Sequence, residues 1–324
     1  MDDINQIKAP VKPYLKEFTK EFNQSMKSNV PLLNTITKYM VKRKGKQIRP
    51  LFVFLSAGMC GEISAKTSRA AALIELLHTA TLIHDDVVDE SYKRRGIFSL
   101  NALWGNKIAV LVGDFLLSRG LLQSVKNKDH DLLEIVSDAV REMSEGELLQ
   151  IEKARKLDIQ ENIYFEIIQK KTASLIASCC ATGAVSVGAD EEKIEAFRKF
   201  GENVGIAFQI KDDIFDYQQK TNKEKPAGID IKEKKMTLPL IFLLQQLSLL
   251  EKRKMIYQIK NKSRDTQIVA EIIEKVKNAG GIEYATQKME EYKNAALAFL
   301  SQFPETEFKT SLIQLVEFSV NRKK

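Results

Sequence analysis

Two segments of this chain repeat one pattern. LIHDDVVDES and QIKDDIFDYQ each run apolar residues into two aspartates, two apolar residues and a third aspartate. The aspartates begin at Asp85 and Asp212, 127 residues apart. On a helix each residue turns about 100°, so Asp85 and Asp89 share a face one turn apart, with Asp86 within about 100° of Asp85. Three carboxylates closing an apolar helix repel one another and resist desolvation. No basic residue lies between Arg69 and Lys93 to neutralise the first cluster along its own helix. An all-oxygen ligand set selects a hard cation, Mg2+ before Zn2+. Mg2+ takes one or two protein carboxylates and fills its other positions with water and substrate phosphate. Asp212, Asp213 and Asp216 repeat the geometry. One DxxxD is usually a solvated helix end, whereas two, each closing an apolar helix, point to a pair of clusters holding several Mg2+ ions around one diphosphate.

The rest of the chain supplies helices for such clusters to close. It has 15 glycines and 7 prolines in 324 residues, about 7% where roughly 12% is usual. So few turn residues in a long chain argue for long helices and against a sandwich or barrel. Apolar residues at 194, 197, 200, 204, 208 and 215 follow helical spacing. AALIELLHTATLIHDDVVDE is apolar nearly all round until its carboxylates and reads as a buried central helix. Breaks are expected at 45, 58–64, 93–97, 127–131, 154–160, 188–190, 219–235 and 280–281. None is a Pro/Ser-rich linker, so the expected organisation is one all-α domain over 1–324. Its helices from about 250 onward would cover the core or a subunit interface. The lysine-rich 219–235 segment is long enough to be a functional loop.

Diphosphates recruit cations, and candidates stand beside the aspartates. GKQIRP offers Lys46 and Arg49, with Pro50 setting the local backbone, and YKRRG offers Arg94 and Arg95 directly after the first cluster. Arginine grips phosphate bidentately and lysine supplies a point charge. His78 precedes Asp85 by seven residues, about 20° off the same helical line, so it could donate to a substrate phosphate. His84 and His130 receive no role.

Composition narrows the remaining classes. The net charge of +7 and pI near 9.0 come from lysines and arginines interleaved with acids, which makes solvated helix faces rather than a nucleic-acid stripe. Cys60, Cys179 and Cys180 form no metal or disulfide framework and read as buried thiols of a reducing compartment. The opening MDDINQIKAP lacks an apolar h-region, and the uncharged stretch 172–189 is made of small residues that suit an interior helix better than a membrane span. A cytoplasmic protein without a transmembrane segment is expected.

With these motifs in place, the chain resembles the trans-isoprenyl diphosphate synthases, the polyprenyl synthetase family, from GKQIRP through TLPL and beyond. HTATLIHDDVVDES with its following RRG is most similar to the long-chain octaprenyl, heptaprenyl and solanesyl group. The resemblance implies an all-α bundle around a deep central cavity, homodimeric, that condenses isopentenyl diphosphate head to tail onto an allylic diphosphate. It implies that Asp85 and Asp89, with Asp86 beside them, and Asp212 and Asp216, with Asp213 in support, hold Mg2+ on the allylic diphosphate. Lys46, Arg49, His78 and Arg95 would meet isopentenyl diphosphate. Arg94, Lys171, Thr172, Gln209, Lys225 and Lys235 would contact the allylic diphosphate. One departure lies in the lysine-rich loop. The family's Gly-Lys pairs stand here as Glu224–Lys225 and Lys234–Lys235, which keeps the charge and leaves the loop's backbone in question.

In the family, aromatic residues just below the first motif stop growth early. Here Ala80 and Thr81, about 6 to 8 Å below Asp85, are small, and Leu77, Leu76 and Leu73 follow, so the tail should pass. The expected product is hexaprenyl or longer, with octaprenyl central, for quinone side chains and handed to membrane enzymes. A shorter-chain farnesyl or geranylgeranyl synthase and the catalytic half of a heteromeric synthase are the alternatives. A class I terpene cyclase needs no isopentenyl site, and GKQIRP with a second complete DDxxD speaks against it.

Overall fold

The computed structural model describes residues 2–41, 45–94, 96–157, 160–218 and 228–321. Among these the chain is helical apart from one minimal hairpin. In order, it runs through α1 (Asp2–Ile7), a 3-10 turn (Ala9–Val11), α2 (Lys12–Ser25), α3 (Pro31–Val41), α4 (Ile48–Cys60) and α5 (Ala65–Val88). The hairpin of β1 (Lys93–Arg94) and β2 (Ile97–Phe98) follows, antiparallel with Arg94 opposite Ile97. Then come α6 (Leu100–Trp104), α7 (Asn106–Asn127), α8 (His130–Lys156), α9 (Glu161–Ile168), a π-helical turn (Gln169–Ala173), α10 (Ser174–Ser186) and α11 (Glu191–Gln218). The C-terminal part holds α12 (Ile229–Lys232), α13 (Leu238–Gln246), α14 (Leu249–Lys262), α15 (Thr266–Asn278), α16 (Gly281–Ser301) and α17 (Glu307–Asn321). One expected break is shorter than anticipated, since α4 runs through Gly58 to Cys60, and the last falls one residue early, at 279–280.

The chain divides into two compact units. The first comprises Met1–Val140, Ser178–Arg198 and Phe303–Phe318. Its α5 starts at Ser64, whose side chain and that of Thr67 close a reciprocal capping box. From Ala70 to Ile83 most of α5 is buried, as its all-round apolar sequence requires. It lies along α7: a Cβ on Gly113 would meet the His84 ring, and one on Gly120 would stand 3.1 Å from Leu73. Leu76, Ala80 and Ile83 share a cluster with Ala109, Val112 and Leu116. Arg69 clamps Asp129 through two hydrogen bonds, 2.6 and 2.9 Å, at the other end of the pair.

α7 is the one described helix long and apolar enough to cross a membrane by length and composition. One of its faces is committed to α5. The opposite face leaves Leu111, Leu122 and Val125 half or more exposed.

The second unit comprises Arg141–Ala177, Lys199–Gln302 and Ser319–Lys324. Its core gathers Ile206, Ile210, Ile214 and Tyr217 of α11 with Leu238, Leu240 and Ile241 of α13 and the inner faces of α14, α15 and α16. From the helices beyond 250, Met255, Ile259, Val269, Ile272 and Val276 enter this core. Cys179 and Cys180 are buried free thiols, and burial pushes Cys180 up to about 12.

Candidate active site

In the first unit, α5 delivers its aspartates as the spacing demands. The Asp89 amide donates to the Asp85 carbonyl (2.8 Å), one helical turn closing at the C-cap. Asp85 and Asp89 are exposed, while Asp86 is buried. The neutralising charge missing along the helix arrives by chain reversal. Glu90 takes a left-handed φ of 49°, and the β1–β2 hairpin brings Arg94 back so that its Nε donates to Asp86 Oδ1 at 2.8 Å. Arg94, expected on the allylic diphosphate, therefore begins as the partner of the middle aspartate. Asn101 Nδ2 and the Ser91 amide donate to the Asp86 carbonyl and fix the turn.

The other candidates of this unit are placed as follows. Arg49, in the first turn of α4, pairs with Glu75 on α5 at 3.2 Å. Lys46 is exposed, with Nζ 4.7 Å from the Phe318 ring centre. Between them Gln47 holds a left-handed φ of 59°, a conformation that costs a non-glycine residue roughly 1–2 kcal/mol. His78 is half-buried on α5 and its carbonyl accepts from Thr81 Oγ1. His84, which had no role, approaches the Val110 carbonyl (3.3 Å) and Asp114 (3.5 Å) on α7. Leu77 and Ala80 are buried on the stripe that faces α7, and Thr81 is half-buried one step round. Arg95 lies outside the described residues.

The second unit gathers its candidates around one cavity of about 430 Å³. Lys171, Thr172, Gln209, Asp212, Asp213, Asp216 and Lys235 all line it. What brings them together is the π-helical turn, whose extra residue per turn re-aims Lys171 and Thr172 relative to a regular helix. Glycines let that turn sit close to its neighbours. A Cβ on Gly146 of α8 would come 2.8 Å from the Lys171 amide, and one on Gly205 of α11 would come 2.5 Å from Ala173 Cα. Thr172 Oγ1 then donates to Gln209 Oε1, and Gln209 Nε2 to Asp213 Oδ1, both at 2.8 Å. Lys171 pairs with Glu147 and stands 3.4 Å from Gln150 Oε1.

Each aspartate of this cluster has a distinct environment. Asp213 is held on its second oxygen by the Tyr164 hydroxyl at 2.7 Å. Asp216 accepts the amides of Ile229 (3.0 Å) and Asp230 (3.1 Å), so it organises the start of α12. Asp212 is half-buried and lines the cavity. A fourth carboxylate, Asp230, joins them, with Lys235 Nζ 4.0 Å away and also bonded to Glu233. Burial and the Asp230 charge push the Asp213 carboxyl up to about 8, against the hydrogen bonds from Tyr164 and Gln209. Burial and then Asp216 raise Asp230 to about 6, with Lys235 opposing. The cavity wall is short of positive charge. No three described Asp, Glu, His or Cys side chains form a ready-made metal cage.

Sequence reasoning did not find Tyr164, Asp230 or the Arg94–Asp86 pair. Tyr164 sits 49 residues from Asp213, and no local pattern links them. Asp230 stands in the lysine-rich segment, where the basic residues drew attention away from it. Lys225 lies outside the described residues. Lys234, at the position of a family glycine, takes a left-handed φ of 60°. That is the backbone a glycine would adopt freely, and the Lys235 amide donates to the Asp230 carbonyl at 2.8 Å.

An all-helical chain whose two apolar helices each end in an aspartate triad, one over a carboxylate-lined cavity beside lysine, threonine and glutamine, is built as a prenyltransferase of the isoprenoid synthase type. The polyprenyl synthetase family model matches residues 30–276, and the chain belongs to that family. It is 37% identical, over 99% of both chains, to the all-trans-nonaprenyl-diphosphate synthase (geranyl-diphosphate specific) of Rhodobacter capsulatus. A polyprenyl synthase of Caulobacter crescentus, solved with calcium and isoprenyl diphosphate, superposes with TM-score 0.90 at 32% identity, covering 99% of this chain and 98% of that one. A geranylgeranyl pyrophosphate synthase of Bacteroides thetaiotaomicron superposes with TM-score 0.85 at 35% identity, covering 99% and 100%. Relatives thus span long and short products, and the chain is a prenyl diphosphate synthase.

Proposed function

We propose that this chain is a Mg2+-dependent, long-chain trans-polyprenyl diphosphate synthase that acts in the cytoplasm as a homodimer. The observation that carries the metal–diphosphate reading is the carboxylate-rich cavity wall, where Asp212, Asp213, Asp216 and Asp230 stand beside Lys171 and Lys235. Asp85 and Asp89 in one unit, and Asp212 and Asp216 in the other, are the side chains that would hold Mg2+. Bound there, the ion would stabilise the departing pyrophosphate as a Lewis acid. Asp213, fixed by Tyr164 and Gln209, and Asp86, fixed by Arg94, keep the flanking carboxylates in register.

Lys171, Thr172, Gln209 and Lys235 bind and orient the allylic diphosphate, with Lys225 and Arg94 as further contacts. Lys46, Arg49, His78 and Arg95 bind isopentenyl diphosphate. Arg49 and Lys171 are parked on Glu75 and Glu147. Partly exposed pairs of this kind are worth about 0–1 kcal/mol, so a diphosphate can displace the carboxylate cheaply. As the allylic C–O bond ionises, these cations stabilise charge on the leaving oxygens. The carbocation is attacked by the isopentenyl double bond, and the pyrophosphate oxygens are the nearest base for the proton then lost.

The homodimer reading rests on α7. Val110, Leu111, Leu121, Leu122 and Val125 are all at least 40% exposed and fall within about 120° of helix surface, a patch that water alone does not favour. A second copy of α7 matches its chemistry.

Incubating the purified chain with Mg2+, farnesyl diphosphate and isopentenyl diphosphate, followed by mass spectrometry, tests the function. A ladder ending at hexaprenyl or longer supports it. Arrest at geranylgeranyl identifies a shorter-chain synthase, and no elongation by folded protein indicates a missing partner subunit.

Asp213 and Asp230 also set a pH dependence. Both carboxyls have raised values in the folded state, from 3.8 to about 8 and about 6. Their contribution to stability is complete below about pH 4 and is lost as the pH rises through 6 and then 8. The metal-free protein should therefore lose thermal stability across this range. Magnesium with inorganic pyrophosphate should raise Tm more at pH 8 than at pH 6. Equal gains would place the ions elsewhere.

A further inference from the structure

Helix α14 carries a surface that elongation does not use. Residues 249–264 hold Lys252, Arg253, Lys254, Lys260, Lys262 and Arg264 against a single acid, Glu251, a surplus of five in a chain whose total is +7. Glu251 is committed locally, since its carboxylate accepts from the Ser248 amide and hydroxyl in a capping box. One face of α14 is core: Met255 and Ile259 are buried. The opposite face is not polar. Leu250 is 78% exposed and Tyr257 60%, and Leu249, 77% exposed, stands on the flank at the helix start.

The arrangement on that face is ordered. Leu250 and Tyr257 are seven residues apart and lie within about 20° of each other. Arg253 and Lys260 flank them on one side and Lys254 on the other, each within about 60° of Tyr257. All three cations are exposed, and among the described residues none is held in an ion pair. An apolar centre with long cationic side chains on both edges lets leucine and tyrosine enter a headgroup–acyl boundary while the charges reach lipid phosphates. A nucleic-acid surface would place cations, not leucines, along its centre.

We propose that α14 is a membrane-docking helix that seats Leu249, Leu250 and Tyr257 in an anionic lipid bilayer, with Arg253, Lys254 and Lys260 on its phosphates. The use of such docking rests on the long-chain reading above: a polyprenyl product has a tail that water does not dissolve, and release at a bilayer gives it a solvent. The docking itself does not depend on chain length.

The test is co-sedimentation of the full chain with vesicles of phosphatidylcholine, with and without phosphatidylglycerol. Binding is expected only where phosphatidylglycerol is present, and it should weaken in high salt. The Arg253→Gln/Lys254→Gln/Lys260→Gln protein should lose at least tenfold in partitioning, at roughly fivefold per cation near the surface. Leu250→Asp/Tyr257→Asp should abolish binding. Both variants should elongate soluble substrate at the parental rate, which also shows that they fold. Parental protein that stays in the supernatant, equal binding to neutral vesicles, or variants that bind unchanged would overturn the proposal. So would a vesicle-free change in oligomeric state in Leu250→Asp/Tyr257→Asp, because it would assign this face to a second copy. A short product with intact vesicle binding removes the long-chain reading and leaves the docking helix standing.

Discussion

Asp85→Asn and Asp212→Asn should each lower kcat by about a hundred- to a thousandfold, the scale of losing one preorganised charge-stabilising group at a reacting centre. Both residues are chosen because they are less buried than the middle aspartates of their clusters. Asp85 is exposed at the end of α5, and Asp212 is half-buried on the cavity wall. Asparagine keeps the shape and removes the charge, so Tm should hardly move. Asp216→Asn is a different experiment. Its carboxylate accepts the Ile229 and Asp230 amides, so that variant should lose stability as well as rate, because one carboxylate oxygen becomes an amide nitrogen facing an N–H donor. Steady-state kinetics with farnesyl diphosphate, read beside thermal melts, separates the two. Near-parental kcat in Asp85→Asn or Asp212→Asn would refute the metal–diphosphate assignment of that cluster.

Product length should shorten by several isoprene units when the space below the first cluster is filled. Ala80→Phe and Thr81→Phe probe it from adjacent positions on α5 with different structural costs. Ala80 has no exposed surface and belongs to the cluster that includes Leu76, Ala109 and Leu116. A phenyl group there overpacks the core, at about 1–3 kcal/mol. Thr81 is half-buried, and its hydroxyl donates within its own turn, to the His78 carbonyl. Thr81→Phe should therefore shorten the product at little cost in stability, whereas Ala80→Phe should do so in a less stable protein. Mass spectrometry of the products reads the effect directly. Parental product length in folded Thr81→Phe would mean that the growing tail does not pass this face of the helix.

The residues that were legible in advance are those whose role is local. Asp85 and Asp89 lie one turn apart because a helix places i and i+4 together whatever surrounds it. The burial of α5 followed from a run with no polar face, and the interior setting of α10 from its small residues. That Lys171, Thr172 and Gln209 belong to one site was carried by family resemblance; the physical cause of their convergence on one cavity is a π-helical turn wedged against glycines. Nothing in QKKTA announces that extra residue per turn. The counter-charge of Asp86 was sought along α5 and found across a hairpin, since a reversal of two short strands puts Arg94 beside a residue eight positions earlier.

By itself, then, the sequence determined the helical class, the two aspartate triads and the family, because helical periodicity and motif spacing are properties of neighbours along the chain. Only the tertiary structure decided which aspartates are spoken for. Tyr164 on Asp213, Thr172 on Gln209, two backbone amides on Asp216 and Arg94 on Asp86 are contacts between separate elements. So are the Asp230 carboxylate that completes the cavity wall and the exposure of Leu250 and Tyr257 on α14. Burial and charge balance arise where distant segments meet, and a linear pattern holds no record of which segments those are.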